Sequence, residues 1–148
     1  MKRTLSVLAA LSLLVIPLSL QAQQSQDFGQ YVVHYNALNT NLIPPQVAQA
    51  YGIQRSSSRA LLNITVLKKV MDNPGSPVKA EITTTATNLT GQRRQIGLRE
   101  ILEPDGAVYY IAEFPIHNME TWRFEIGVQI AGESEPLVVK FKQQFYTE

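Results

Sequence analysis

The ten residues TWRFEIGVQI (121–130) constrain the fold more than any other stretch of this chain. Trp122, Phe124, Ile126, Val128 and Ile130 fall at every second position, with Arg123, Glu125 and Gln129 among the residues between them. A period of two sends alternate side chains to opposite faces of a strand, so one face is apolar and the other polar. A strand of that kind has to bury its apolar face against a second layer. Trp122 is therefore expected in the core.

The same rhythm recurs along most of the chain. Gln30–Leu38, Arg59–Val70, Val78–Leu89, Arg94–Leu102, Ala107–Phe114 and Leu137–Tyr146 all read as strands. In the first, Tyr31, Val33 and Tyr35 oppose Val32, His34 and Asn36. In the second, Leu62, Ile64 and Val66 oppose Leu61, Asn63, Thr65 and Leu67. Turn signals separate the strands: DNPGSP (72–77), Asn88–Gln92, EPDG (103–106) and GESEP (132–136). Between the first two strands, Pro44 and Pro45 precede QVAQAY and Gly52 follows it. Proline suits a first helical turn and glycine the position just past a helix end, so one or two helical turns are expected from Pro45 to Tyr51. Seven strands with one short N-terminal helix point to an all-β, two-layer antiparallel β-sandwich of immunoglobulin or fibronectin type III character. A small barrel is the alternative. Alternation implies that each sheet has one buried and one wet face.

The N-terminus sets the compartment. Lys2 and Arg3 precede the apolar run Leu5–Ile16, then Pro17 and the polar segment SLQAQQSQD. That is the three-part layout of a secretory signal peptide, with cleavage expected after Ala22. The apolar run is about 12 residues, short of the roughly 20 that span a bilayer. The chain thus divides into a signal peptide (1–22) and one β-sandwich domain (23–148). Losing Lys2 and Arg3 takes 13 basic residues to 11, against 12 acidic ones. A near-neutral mature chain gives no electrostatic reason to expect nucleic acid as a partner. With no cysteine there is no disulfide framework, no thiolate metal site and no lipid anchor.

The residues that carry chemistry form no recognised constellation. His34 and His117 are the only histidines, and Glu113 and Glu120 flank His117 at spacings that match no metal-ligand motif. Ser56, Ser57 and Ser58 lie in no GxSxG elbow and have no lysine three residues on. Glu100, Glu103, Glu133 and Glu135 read as turn carboxylates. No glycine-rich phosphate loop occurs, so no cofactor is expected. Arg55 and Arg59 bracket the serines after the short helix. Their guanidinium groups suit carboxylate or phosphate recognition, and they equally suit pairing with an acidic neighbour in a polar turn.

Four elements carry a resemblance to a known family: the Tyr-Val-Val-His-Tyr-Asn strand (31–36), the Pro-x-Val-Ala-x-x-Tyr helix (45–51), the Ile-x-Arg-Ser step (53–56) and Leu-Asn-Ile-x-Val (62–66). Together with WRFEIGVQI later on, they resemble the proteobacterial proteins catalogued as domain of unknown function 4426. The resemblance covers the mature chain. It implies a secreted, single-domain envelope protein with no assigned activity, and a periplasmic location. It places His34, Asn36, Tyr51, Arg55, Ser56 and Asn63 inside its distinctive motifs.

Two functional readings follow. The first is a non-enzymatic binding or protein-interaction module that contacts an envelope protein or peptide through the region Asn36–Arg59. Its candidate surface is His34, Asn36, Tyr51, Arg55, Ser56, Arg59 and Asn63, with the helix covering one end or edge of the sandwich. The second is a small-ligand carrier or enzyme with a polar site near His34, Tyr35, Tyr51 and Arg55. That reading requires His34 and Arg55 to converge on one pocket.

Overall fold

The computed structural model describes residues 24–71 and 73–148. The expected signal peptide, residues 1–22, lies outside the described residues. The alternating segments become ten strands: β1 (Gln24–Asp27), β2 (Tyr31–Asn39), β3 (Arg59–Val70), β4 (Asn73–Pro77), β5 (Ala80–Asn88), β6 (Arg93–Ile96), β7 (Arg99–Leu102), β8 (Val108–Pro115), β9 (Glu120–Ile130) and β10 (Leu137–Phe145). A 3-10 turn (Thr40–Leu42) and a seven-residue helix α1 (Pro45–Tyr51) lie between β2 and β3. Every strand pairing is antiparallel. One sheet runs β1-β2-β3-β8-β7, with β4 also on β3; the other runs β10-β9-β5-β6.

Three strands exceed the seven read from periodicity, each for a local reason. The segment Arg94–Leu102 is not one strand: Gly97 and Leu98 carry the chain from one sheet to the other. β6 therefore pairs with β5, and β7 with β8. The DNPGSP stretch is not only a turn, because β4 folds straight back onto β3. Gly75 makes that return possible. Its φ is +115°, and a Cβ there would sit 3.0 Å from the Leu67 Cβ and 3.1 Å from the Lys68 carbonyl oxygen. β1 precedes the first strand read from the sequence and pairs along β2 from Gln24 opposite Tyr35 to Asp27 opposite Val32.

The inward faces meet in one core. β2 contributes Tyr31, Val33 and Ala37; β3 contributes Leu62, Ile64 and Val66; β8 contributes Val108, Tyr110 and Phe114. From the opposite sheet come Trp122, Phe124, Ile126 and Val128 of β9, with Val139 and Phe145 of β10. Aromatic rings fill the middle. Phe124 stacks on Phe141 at 4.7 Å and 14°, and Phe145 meets Phe114 edge-on at 5.8 Å and 82°. Trp122 is 1% exposed, and the Arg94 guanidinium lies 4.8 Å from its ring centre, closing that end of the core.

The outer face of the six-stranded sheet departs from the expected wet face. Leu61 and Ile111 point outward, away from the inter-sheet core, yet both are buried beneath Ile43, Ala48 and Ile53. The segment between β2 and β3 thus lies on a sheet face and forms a second, smaller core. The expectation that it caps an end or edge of the sandwich is corrected accordingly.

Trp122→Ala should lower the free energy of unfolding by about 3–5 kcal/mol, because it empties a large fully buried volume. Urea or thermal unfolding of the two proteins measures this directly. An unchanged midpoint would show that the core around β9 is misassigned.

Candidate functional site

A seven-residue helix is too short to persist on its own, so α1 depends on what holds it. Pro45 occupies its first position, where a missing N–H costs nothing. Gly52 closes it with φ +65° in a left-handed cap. The Gly52 amide donates to the Gln49 carbonyl at 3.3 Å, and the Ile53 amide to the Ala48 carbonyl at 2.8 Å. This double bond pattern is a Schellman motif, and its customary apolar contact is present, since Ile53 and Ala48 share the second core. Tyr51 at the C-terminal end donates its hydroxyl to Glu103, in the β7–β8 turn, and its carbonyl accepts from Arg99.

Arg55 and Ser56 belong to the same fastening. The Arg55 guanidinium donates from Nε to the Ile43 carbonyl at 2.8 Å and from Nη2 to the Asn41 carbonyl at 2.9 Å. Asn41 lies within the 3-10 turn and Ile43 just after it, where carbonyls have no partner within the turn itself. The Ser56 amide donates to Thr40 Oγ1 at 2.8 Å, and that hydroxyl donates back to the Ser56 carbonyl at 3.1 Å. Thr40 is fully buried, so this reciprocal pair satisfies a hydroxyl that would otherwise be stranded. The serines themselves form a local turn, with the Ser58 amide on Ser56 Oγ at 3.1 Å. Arg59 Nε lies 3.9 Å from Glu113, whose other duty is to accept the Gln54 amide at 2.9 Å.

The remaining candidates sit on the outer sheet face. His34 lies opposite Ser25 of β1 and Thr65 of β3, half-buried, and makes no side-chain hydrogen bond among the described residues. Asn36 lies directly opposite Asn63, two positions along the same strand from His34. Tyr35 points the other way, its ring against Phe141 at 4.7 Å. Among the described residues no group of three His, Asp or Glu side chains is placed to hold a metal ion. No helix of the described residues is long and apolar enough to cross a membrane.

Tyr51 and Asn63 do come together, in a cleft between α1 and the sheet of about 250 Å³. The other walls are apolar: Ile43, Val47, Ile53, Leu61, Ile101 and Tyr109. His34 and Arg55 are not among its lining residues. Asn63 Oδ1 is shut off from solvent and has no hydrogen-bond partner, a condition it shares with Arg59 Nε, Thr84 Oγ1 and Trp122 Nε1 among the described residues. None of the six apolar walls was among the residues singled out from sequence. A signal for them does exist: Ala60-Leu61-Leu62 and Val108-Tyr109-Tyr110-Ile111-Ala112 are apolar at consecutive positions, which marks strands covered on both faces.

The contact between Tyr51 and Glu103 also makes the cleft wall sensitive to alkali. The hydrogen bond to the Glu103 carboxylate, helped by partial burial, holds the Tyr51 phenol above its ordinary value of 10. A pKa raised in the folded state stabilises the fold below the unfolded value and loses that contribution as pH rises through the folded one. Stability should therefore fall above about pH 10. Tyr51→Phe should flatten that fall only in part, because Tyr31 and Tyr110, raised by burial and also by Glu133 and Glu100, remain. Denaturation midpoints at pH 8 and pH 11 check this; identical pH dependence in both proteins would refute it.

Comparison with known proteins adds a family. The model for "Domain of unknown function (DUF4426)" matches residues 25–148. The crystal structure of a DUF4426 family protein from Pseudomonas aeruginosa PAO1 is similar, with 35% sequence identity and a TM-score of 0.72. The match covers 86% of this chain and 97% of that one. A comparison with curated proteins returns no match. On a family match spanning most of its length, the chain belongs to the DUF4426 family.

Proposed function

We propose that this chain is an exported, non-enzymatic binding module of the bacterial envelope, and that it seats an apolar side chain of a peptide or protein partner in the α1 cleft. The observation that carries this reading is Asn63: a buried amide oxygen without a partner, on the wall of an otherwise apolar cavity of about 250 Å³. A buried polar atom left unpaired costs about 1–3 kcal/mol, and of the four such atoms among the described residues only Asn63 Oδ1 belongs to a residue lining this cleft. An amide can turn either its oxygen or its nitrogen toward a ligand, which matches the donor and acceptor of a peptide backbone. The surrounding Val47, Ile101 and Tyr109 then take the adjoining apolar side chain. Arg55 acts in this reading as a fastener of the cleft wall and makes no contact with the partner.

The sheet order supports a sandwich of immunoglobulin or fibronectin type III kind. With β2, β3, β5, β6, β7, β8, β9 and β10 taken as A, B, C, C′, D, E, F and G, the sheets become A-B-E-D and G-F-C-C′. That order agrees with an immunoglobulin-type arrangement, with β1 and β4 as additions that have no letter in it. Such domains commonly serve as recognition scaffolds, which agrees with the reading but identifies no partner.

Export is supported by position. The family match begins at residue 25, just past the expected cut after Ala22. Expression of the full chain in a Gram-negative host should give a periplasmic product whose N-terminal residue is Gln23. Recovery of an intact N-terminus in the cytoplasmic fraction would refute export.

Binding is tested by titrating N-acetyl-leucine N-methylamide, a capped apolar amide, and following backbone amide resonances. Shifts are expected at Asn63, Ile101 and Tyr109. They should vanish in Val47→Arg, which places a charge at a rim position 41% exposed and should leave the melting temperature near that of the wild type. Asn63→Leu should abolish the shifts while leaving stability unchanged or raised by about 1 kcal/mol. No shift in the wild type at millimolar probe, or equal shifts in all three proteins, would sink the cleft as a binding site.

A further inference from the structure

The outer face of the β10-β9-β5-β6 sheet carries a feature that folding does not account for. Register places Lys142 opposite Arg123, Arg123 opposite Thr87, and Thr87 opposite Arg93, so one row crosses all four strands. With neighbouring strands about 4.8 Å apart, three cations fall within roughly 14 Å. Like charges directly opposite on one sheet face are destabilising, and Lys142 and Arg123 are such a pair. None of the three has a carboxylate partner or a side-chain hydrogen bond among the described residues. In the next row, Glu125 pairs with Lys140 at 3.9 Å and makes no ion pair with Arg123. Glu81, the other carboxylate on this face, pairs in register with Gln129, six residues along β9 from Arg123. At about 3.3 Å per residue that is close to 20 Å away, beyond useful screening distance.

These groups do not form a flat surface. Thr85, Thr87, Arg93, Arg123, Lys140 and Lys142 line an open trough of about 510 Å³, with Glu125 the one carboxylate among its lining residues. Thr87 lies between Arg93 of β6 and Arg123 of β9, and Thr85 lies one row on, between Gln95 and Glu125. The sheet thus presents two arginines and a lysine from backbone positions at fixed spacing, with the Thr87 hydroxyl between the arginines. A single carboxylate would neutralise one of the three. A phosphate group carries close to two charges and three acceptor oxygens, accepts an arginine fork through two parallel N–H bonds, and can take a threonine hydroxyl besides.

We propose that this trough is a phosphate-binding site, with Arg123 and Arg93 as bidentate donors on either side of Thr87 and Lys142 supplying the third charge. It lies on the sheet opposite the α1 cleft and is independent of it. The phosphate arrives on a soluble organophosphate or on a lipid headgroup, and both sources present the same group to the same row.

The test uses the mature chain and its Arg123→Thr, Lys142→Thr and Arg93→Gln variants. Sodium pyrophosphate and glycerol 3-phosphate are the soluble probes, with sodium chloride at matched ionic strength as control. Pyrophosphate should raise the wild-type melting temperature above the chloride control, and the affinity read from that titration should fall at least tenfold in Arg123→Thr and Arg93→Gln. Without ligand, Arg123→Thr and Lys142→Thr should melt at a higher temperature than the wild type, since each removes the facing like charge. That second readout separates lost binding from lost structure. Co-sedimentation with phosphatidylglycerol vesicles, against phosphatidylcholine vesicles, identifies the lipid source if the wild type binds and the variants do not. A pyrophosphate response equal to chloride together with no vesicle binding would overturn the proposal. So would variants that respond to phosphate as the wild type does.

Discussion

Ala60, Leu61 and Leu62 are consecutive and all buried, which is possible for a strand only where both its faces are covered. β3 is that strand. Leu62, Ile64 and Val66 face the inter-sheet core, and Leu61 faces Ile43, Ala48 and Ile53 on the far side. β3 also pairs with β2 on one edge and with β8 and β4 on the other. Everything near the cleft is fixed by this double burial. Each outward Leu or Ile covered by the segment between β2 and β3 is worth about 1.5–3 kcal/mol, enough to hold a helix that could not form alone.

The hydrogen bonds around Arg55 and Thr40 set where the segment lies, and burial supplies the attraction that holds it. Apolar contact is non-directional and would tolerate several positions of α1 on the sheet. The Arg55 fork on the Asn41 and Ile43 carbonyls, and the Thr40–Ser56 exchange, tie both ends of the segment to one register. Tyr51 adds a third tie through Glu103, and Arg99 a fourth. Their joint effect is that Tyr51 and Asn63 face one cavity while His34 lies outside it.

Much of this is legible in residue spacing, and what is hidden has a common cause. The inward faces of β2, β3, β9 and β10 follow from a period of two, and Trp122 is buried as its alternation requires. The helix at Pro45–Tyr51 is bounded by a proline and a glycine whose conformational roles are local. Strand partners are a different matter, because alternation gives faces and never neighbours. The break at Gly97–Leu98 carries the chain between sheets without interrupting the apolar pattern, so RQIGLREIL reads as one strand. Arg55 was ambiguous for the same reason. An arginine that caps carbonyls and one that binds an anion look alike until the carbonyls are placed. Asn63 shows the limit most clearly: its position on the outward face could be read, but its missing hydrogen-bond partner could not.

The two outer faces then divide the molecule. One sheet covers its own exterior with chain and leaves a small apolar cleft; the other stays bare and gathers cations. The bare sheet can carry facing like charges because of what lies beneath them. Arg123 is flanked along β9 by Trp122 and Phe124, both essentially fully buried, and Lys142 along β10 by Phe141, stacked on Phe124. Repulsion between exposed cations amounts to a fraction of a kcal/mol to about one, whereas each of those aromatic anchors contributes several. Polar residues on the outer face can therefore change without endangering the strand. The same reasoning applies in reverse to Asn63. On β3 the outward residue is covered, its polar atom lies out of reach of water, and its cost falls on the fold itself.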